Sequence, residues 1–450
     1  MGLIKTGIRG LDELLGGGFL PGSVILLAGH PGTGKTTFGA QFLLEGLKNG
    51  ERGIYVSFVE SKEEFYRHMR LLGMDFAKYE EEGLFYFIEA SPPPSIPKLE
   101  SCLKAIVERI IKQGARRVVI DSISALISAV DEKKSRFLLQ AVLMKPLKNL
   151  NVTLFLIAEL PIGNEVIGYG FEEFLTDVVL KMIAKEERGI TRRFLIIHKV
   201  REAPIPRLSY EFVIEEGKGI RLYTPLKVGL EGSYRLERVT IGIPELDKLF
   251  GGGIYRGSTT LLAGPTGSGK TFIALKFAVA GAERGEKTYY ISFEESVEQL
   301  STMLKTMNVS LKTLNQKLRI ISLSARLSTP GAIYSYISRL IEEEEIHRII
   351  LDGASALERH YTRLEYLELL RNLSLMFKLR GVTALITSLK DVFHGEESEV
   401  STICDNIIAL WWEKENDMIK HKMTIIKARG MKHDKRIHEF RFENGDIVIS

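Results

Sequence analysis

Short, nearly unbroken apolar runs alternate along this chain with segments whose apolar positions recur at helical spacing. Residues 23–28 form one such run and lead into a glycine-rich loop. Residues 36–49 then put Phe38, Phe42, Leu43 and Leu47 at helical spacing, with Gly50 at the expected stop. Further strands are expected at 54–58, at 117–120 ahead of Asp121, and at 152–158, while 91–97, with four prolines, reads as loop. The second half repeats the order: a run at 259–263, a glycine loop, a helix at 272–282, then runs at 289–293, at 349–351 ahead of Asp352, and at 382–387. Toward the end of each half the pattern becomes hairpin-like, at 193–199 with 210–214 and at 423–427 with 437–442. The pattern predicts an α/β protein of two tandem domains, 1–230 and 236–450, joined near 227–238. Each domain is expected to be a mostly parallel sheet with helices on both faces and a C-terminal antiparallel hairpin region.

The halves are copies. Gly7 to Ser61 aligns without a gap to Gly242 to Ser296, 235 positions on, and roughly half of the aligned residues are identical. Each copy carries G-x-x-x-x-G-K-[ST]: Gly29-His30-Pro31-Gly32-Thr33-Gly34-Lys35-Thr36 and Gly264-Pro265-Thr266-Gly267-Ser268-Gly269-Lys270-Thr271. Glycines let backbone N–H groups curl around phosphate oxygens without Cβ clashes, and the following helix adds its positive end. Lys35 and Lys270 are expected to reach the β- and γ-phosphates of ATP. Thr36 and Thr271 offer hydroxyls to Mg²⁺, with Asp121 and Asp352 as the carboxylates at the metal.

Hydrolysis also needs a group that orients or deprotonates water. Glu294 and Glu295 end a strand of the second half, and the first half reads Val59-Glu60 there. Valine can neither accept a proton nor hold a water, and Glu60 is expected to point to the opposite face from the missing group. The alternative for these carboxylates is a surface role, capping the next helix.

Composition narrows the partners. Of 450 residues, 61 are Lys or Arg and 57 Asp or Glu, and a net charge of +4 does not demand nucleic acid or an acidic membrane. Two cysteines without metal spacing and no signal-peptide block fit a cytoplasmic protein. No apolar run approaches a membrane span.

Gly7-Ile8-x-x-Leu11-Asp12, Gly16-Gly17-Gly18 and Gly22, followed by the phosphate loop and a Ser-Phe-x-Glu-Ser segment, resemble the KaiC family of RecA-like ATPases, and the signature recurs at 242–296. The resemblance covers essentially the whole chain and implies two RecA-like domains in a homo-oligomer, a hexameric ring with ATP between neighbouring subunits. It implies that Lys199 and Arg201, and Lys427 and Arg429, reach a neighbour's nucleotide and stabilise the transferring phosphoryl group. It also implies serine/threonine autokinase activity in the second domain, with Ser401 and Thr402 at the acceptor positions, whereas a third acceptor position falls on Glu396. The chain stops at Ser450, soon after the match at 433–440, without the tail by which clock members bind a regulatory partner. A non-clock relative is therefore expected, with the first domain holding ATP and the second turning it over.

Two other functions share this core. A DNA-stimulated recombinase or helicase motor would use the basic stretch 427–436 and the Trp411-Trp412 pair. The basic stretch is better explained by a neighbour's triphosphate and the tryptophans by strand-end packing, so nucleic acid is not expected as a partner. The third reading is a nucleotide-loaded signalling scaffold with little turnover, read by an unidentified partner.

Overall fold

Each phosphate loop follows a central strand, and the order of strands around it explains where ligand residues converge. The computed structural model describes residues 2–128, 130–160, 175–201, 209–224, 237–311, 314, 316–389 and 399–450. The chain divides into two units, Met1–Thr224 and Pro225–Ser450.

In the first unit the elements that build the site are β1 (Val24–Gly29), α1 (Lys35–Lys48), β2 (Gly53–Ser57), α2 (Lys62–Leu71), β3 (Phe85–Glu89), α3 (Ile96–Gln113), β4 (Arg117–Asp121) and β5 (Thr153–Glu159). They are followed by β6 (Val178–Glu187), β7 (Ile190–Val200), β8 (Ser209–Glu215) and β9 (Gly219–Leu222). The described residues form one nine-stranded sheet ordered β3-β2-β4-β5-β1-β6-β7-β8-β9. It is parallel through β6 and antiparallel from β7 onward. Alternate residues of β1 serve opposite cores: Ile25 and Leu27 pack with Phe38, Phe42 and Val119, and Val24 and Leu26 with Val118 and Leu154. Burial on both faces is why these strands read as continuous apolar runs rather than as alternation.

The second unit repeats the design with β10 (Thr259–Ala263), α4 (Lys270–Glu283), β11 (Thr288–Ser292), α5 (Val297–Thr306), β12 (Leu318–Ser322), β13 (Arg348–Asp352), α6 (Ser355–His360) and β14 (Thr383–Ser388). After them come α7 (Glu399–Ile403), β15 (Asn406–Glu415), β16 (Met418–Ala428), β17 (His438–Glu443) and β18 (Asp446–Ile449). Its main sheet again has nine described strands, in the order β12-β11-β13-β14-β10-β15-β16-β17-β18, and Arg238–Val239 pairs with Ile254–Tyr255 in a separate two-stranded sheet. A buried arginine ties each unit together. Arg117 Nε meets Glu51 at 2.6 Å and its Nη1 donates to Phe42 O and Lys5 O; Arg348 does the same with Glu286 at 2.5 Å, Phe277 O and Thr240 O.

Three expectations need correction. Residues 91–97 are not loop throughout, because α3 begins at Ile96 with Pro97 in its first turn. Proline is tolerated there because its missing N–H has no intrahelical partner anyway. The antiparallel region is larger than a hairpin, with β6 and β9 flanking the two strands expected in the first unit. Trp411 and Trp412 lie within β15 rather than at its end, and Trp412 is 44% exposed.

Candidate nucleotide sites

The C-terminal ends of β1, β2, β4 and β5 meet at one edge of the first sheet, as do those of β10, β11, β13 and β14 in the second. Open α/β sheets bind ligands at such edges. The loops turn on glycines with φ of 74° and 99° at Gly32 and Gly34, and 78° and 92° at Gly267 and Gly269, a region costly for residues with a Cβ. α1 and α4 start at Lys35 and Lys270, so their free N–H groups face the loop. Lys35 Nζ donates to Gly29 O at 3.0 Å and His30 O at 2.9 Å, and Lys270 Nζ to Gly264 O at 2.8 Å and Pro265 O at 2.7 Å. Burial lowers the pKa of Lys270. Thr33 Oγ1 donates to His30 O at 2.8 Å, whereas the buried Ser268 Oγ has no hydrogen-bond partner.

The residues expected at magnesium are brought together in the first unit, where Thr36 Oγ1 donates to Asp121 Oδ2 at 2.8 Å. Tyr55, on the neighbouring strand, donates to the same oxygen at 2.6 Å. Burial raises the Asp121 pKa, opposed by these two hydrogen bonds and by Lys35. In the second unit Tyr290 donates to Asp352 Oδ2 at 2.7 Å and Thr387 Oγ1 to Oδ1 at 2.5 Å. Thr271 and Asp352 line one cavity of about 640 Å³ with Lys270, Glu294, Glu295 and Phe442, a volume suited to a nucleotide. A hydroxyl and a carboxylate are few ligands, which fits Mg²⁺, since that ion takes its other ligands from substrate phosphates and water.

The water-orienting candidates differ between units. Glu294 lines the cavity, leans over Gly353 and is ion-paired with Arg359 from α6. Val59, at its place in the first unit, is 73% exposed. Glu295 Oε2 is buried without a hydrogen-bond partner, and its pKa is raised by burial and then by Asp352 and Glu294. Glu60, the matching residue, meets His68 Nδ1 at 2.5 Å, where the second unit has Met303. Neither carboxylate caps the next helix; Ser61 with Glu64 and Ser296 with Gln299 form those capping boxes.

The basic pairs lie away from their own loops. Lys199 pairs across the sheet with Val179, near the start of β1, and its Nζ donates to Thr176 O at 2.7 Å. Arg201 follows β7 and meets Asp177 at 3.3 Å. Lys427 donates to Cys404 O at 2.8 Å and Arg429 meets Asp405 at 3.5 Å, near the start of β10. The loops leave the other ends of β1 and β10, a full strand length away, so neither pair reaches its own nucleotide site. Ser401 and Thr402 lie in α7, just before Asp405, whose N–H donates to Thr259 O at 2.8 Å at that same far end. The expected third acceptor position, Glu396, and the end of the expected first-domain boundary at 230 lie outside the described residues.

Sequence reasoning missed Tyr55, Tyr290, Glu159, Arg359 and Phe442. Glu159 ends an apolar run as Asp121 does, so its signal was present. Phe442 comes from a strand distant in sequence, yet its ring approaches Gly269, and Trp412 Nε1 donates to Thr266 O at 3.3 Å. Among the described residues no cluster of three or more His, Cys, Asp or Glu could hold a metal ion by itself, and no helix is long and apolar enough to cross a membrane.

Fold and site together define a tandem P-loop protein with two RecA-like nucleotide-binding domains. The family model described as "ATPase: KaiC" matches residues 4–227 and again 239–450, so the chain belongs to the KaiC ATPase family. It is 32% identical to the Circadian clock protein KaiC3 of Synechocystis sp. (strain ATCC 27184 / PCC 6803 / Kazusa), over 99% of this chain and 91% of that protein. It is 31% identical to the Circadian clock oscillator protein KaiC of Picosynechococcus sp., over 99% and 89%, and 30% identical to that of Synechococcus elongatus, over 97% and 87%.

Proposed function

We propose that this ATPase is a homo-oligomeric ring, hexameric as the resemblance implies, in which the second domain carries most of the Mg²⁺-dependent ATP hydrolysis and the first mainly holds ATP. The domains are assigned to 1–230 and 236–450. The observation that carries this reading is the contrast at one position: Glu294 lines the second cavity beside Asp352, and Val59 faces solvent in the first unit. Thr271 and Asp352, and Thr36 and Asp121 in the first unit, would hold Mg²⁺, which would offset charge on the transferring phosphoryl group. Lys270 and the loop N–H groups hold the triphosphate, and Glu294 or Glu295 orients the attacking water. The distance of Lys199, Arg201, Lys427 and Arg429 from their own loops supports their acting on a neighbour's ATP, which makes turnover depend on ring closure. Ser401 and Thr402 stand at that same far end, so transfer to either hydroxyl would draw on a neighbouring subunit's ATP. Cytoplasmic location and a signalling partner that reads the nucleotide state complete the proposal.

The test is steady-state ATPase and sizing of two variants. Glu294→Gln should lose turnover by about 10²–10⁴-fold with assembly intact. Lys35→Ala should disperse the ring more than it slows each assembled site. Unchanged turnover in Glu294→Gln refutes the assignment. Mass spectrometry after incubation with Mg-ATP tests the kinase: an assembled, hydrolysing sample without phosphate on Ser401 or Thr402 reduces the protein to an ATPase.

A further inference from the structure

We propose that Glu159 sets the nucleotide preference of the first site: its carboxylate occupies the position of a terminal phosphate on Lys35, so a triphosphate must displace it. The inference rests on the reading of this loop as a nucleotide site.

An ammonium has three N–H donors. Those of Lys35 are all engaged, by Gly29 O at 3.0 Å, His30 O at 2.9 Å and Glu159 Oε2 at 3.0 Å. Lys270 makes the two backbone bonds, and the strand-end residue beside it is Leu389. The backbones at these two positions are held alike. The Glu159 N–H donates to Ser124 Oγ at 2.9 Å and the Leu389 N–H to Ser355 Oγ at 2.8 Å. At this one position the units therefore differ in the side chain and not in how its backbone is held.

The placement of β5 explains the reach of Glu159. This strand lies between β1, which carries the loop, and β4, which carries Asp121. Its last residue pairs with Gly29, and its charge is felt at Asp121 as well as at Lys35. Glu159 therefore stands between the loop lysine and the metal carboxylate, the side on which a terminal phosphate lies. Lys35 is 6% exposed and Glu159 44% exposed, so the pair can open outward without unpacking the core. A half-exposed ion pair adds little to stability. Its consequence is competition: ATP must take a donor from Glu159 and then seat a γ-phosphate beside a like charge. A diphosphate reaches less far and is penalised less. The first site should thus favour triphosphate over diphosphate less than the second does, which suits a site that holds nucleotide through a cycle.

The experiment measures binding to the full chain carrying Lys270→Ala, which weakens the second site. Affinities for magnesium complexes of a non-hydrolysable ATP analogue and of ADP are taken by calorimetry with residue 159 as Glu, Gln and Leu. Glu159→Gln and Glu159→Leu should tighten the analogue about tenfold or more and ADP less than threefold, since the removed like charge acts mainly on the third phosphate. An analogue affinity that is unchanged or lower, or equal tightening of both nucleotides, overturns the proposal. Gln preserves the shape of Glu and decides the matter if the Leu variant does not fold. Lys35→Ala in the same background separates the two readings: undiminished analogue binding there refutes the loop as a nucleotide site, whatever Glu159 does.

Discussion

The Tyr290 hydroxyl donates to Asp352 Oδ2 at 2.7 Å, and Tyr55 repeats the bond to Asp121 Oδ2 at 2.6 Å. Both tyrosines are buried on the strand next to the one bearing the aspartate. Burial, and then the aspartate charge, raise their pKa well above the ordinary value, so they remain donors at any physiological pH. Each fixes one oxygen of a buried carboxylate and leaves its orientation little freedom. Tyr290→Phe removes the donor and leaves the acceptor in place. An unsatisfied buried acceptor costs about 1–3 kcal/mol, which urea denaturation should read as a lower midpoint with an unchanged slope.

The exposed place of Val59 invites the reverse experiment. Val59→Glu in a Glu294→Gln background should restore part of the lost turnover, read as phosphate release from assembled protein. No recovery would mean that a carboxylate at residue 59 does not reach the water, leaving His68-bound Glu60 and Glu159 to define that site.

The far placement of Arg429 predicts complementation. Arg429→Ala and Glu294→Gln should each be nearly inactive alone, and mixing them should recover turnover. Interfaces that join an intact Glu294 site to an intact Arg429 have every group they need. Arg429 is about half exposed, so its loss should leave the melting temperature nearly unchanged. Mixed samples no more active than the sum of the parts would put the arginine's role inside its own subunit.

Glu295 gives stability a pH dependence of known sign. Burial, then Asp352 and Glu294, raise its folded-state pKa above the ordinary 4.5, so the native state binds this proton more tightly than the unfolded chain. The wild type is penalised above the folded value and relieved as pH falls through it toward 4.5. Glu295→Gln should therefore melt higher than wild type at pH 7 to 8, with the gain shrinking on acidification. A difference that stays constant as pH falls from 8 toward 4.5 would assign the effect to packing instead.

Arg348 provides a control remote from chemistry. Its guanidinium is fully buried, ion-paired with Glu286 and bonded to two backbone carbonyls. Arg348→Ala strands both carbonyls and leaves Glu286 with Arg256, 2.9 Å away, as its remaining ion-pair partner, and should destabilise the second unit by about 3–5 kcal/mol, visible in denaturant unfolding.

Much of this molecule could be read before folding. Loop glycines, Lys35, Lys270 and the apolar runs into Asp121 and Asp352 are local patterns whose chemistry depends on near neighbours, and an ungapped repeat fixed their correspondence. The edge strand β12 escaped notice because Arg319 interrupts its apolar run, whereas β3 escaped notice although residues 84–88 are an unbroken apolar run. β6 was missed although its first residues are buried, because its second half is exposed and polar. The pairing of Glu60 with His68 was hidden for another reason: strand-end direction is set by a bend at 58–60 that alternation does not describe.

By itself, then, the sequence determined two phosphate loops, the threonine and aspartate that accompany each, and the Val59–Glu294 contrast, because each depends on residue type in a short local pattern. Tertiary structure alone decided which groups face one another beyond such patterns. Parallel strands bring Glu159 to Lys35 and Tyr55 to Asp121 from 124 and 66 positions away, and antiparallel return strands carry Arg201 and Arg429 to the edge opposite their own loops. Those relations follow from strand order and register, which are settled by burying both faces of a sheet and cannot be counted along the chain.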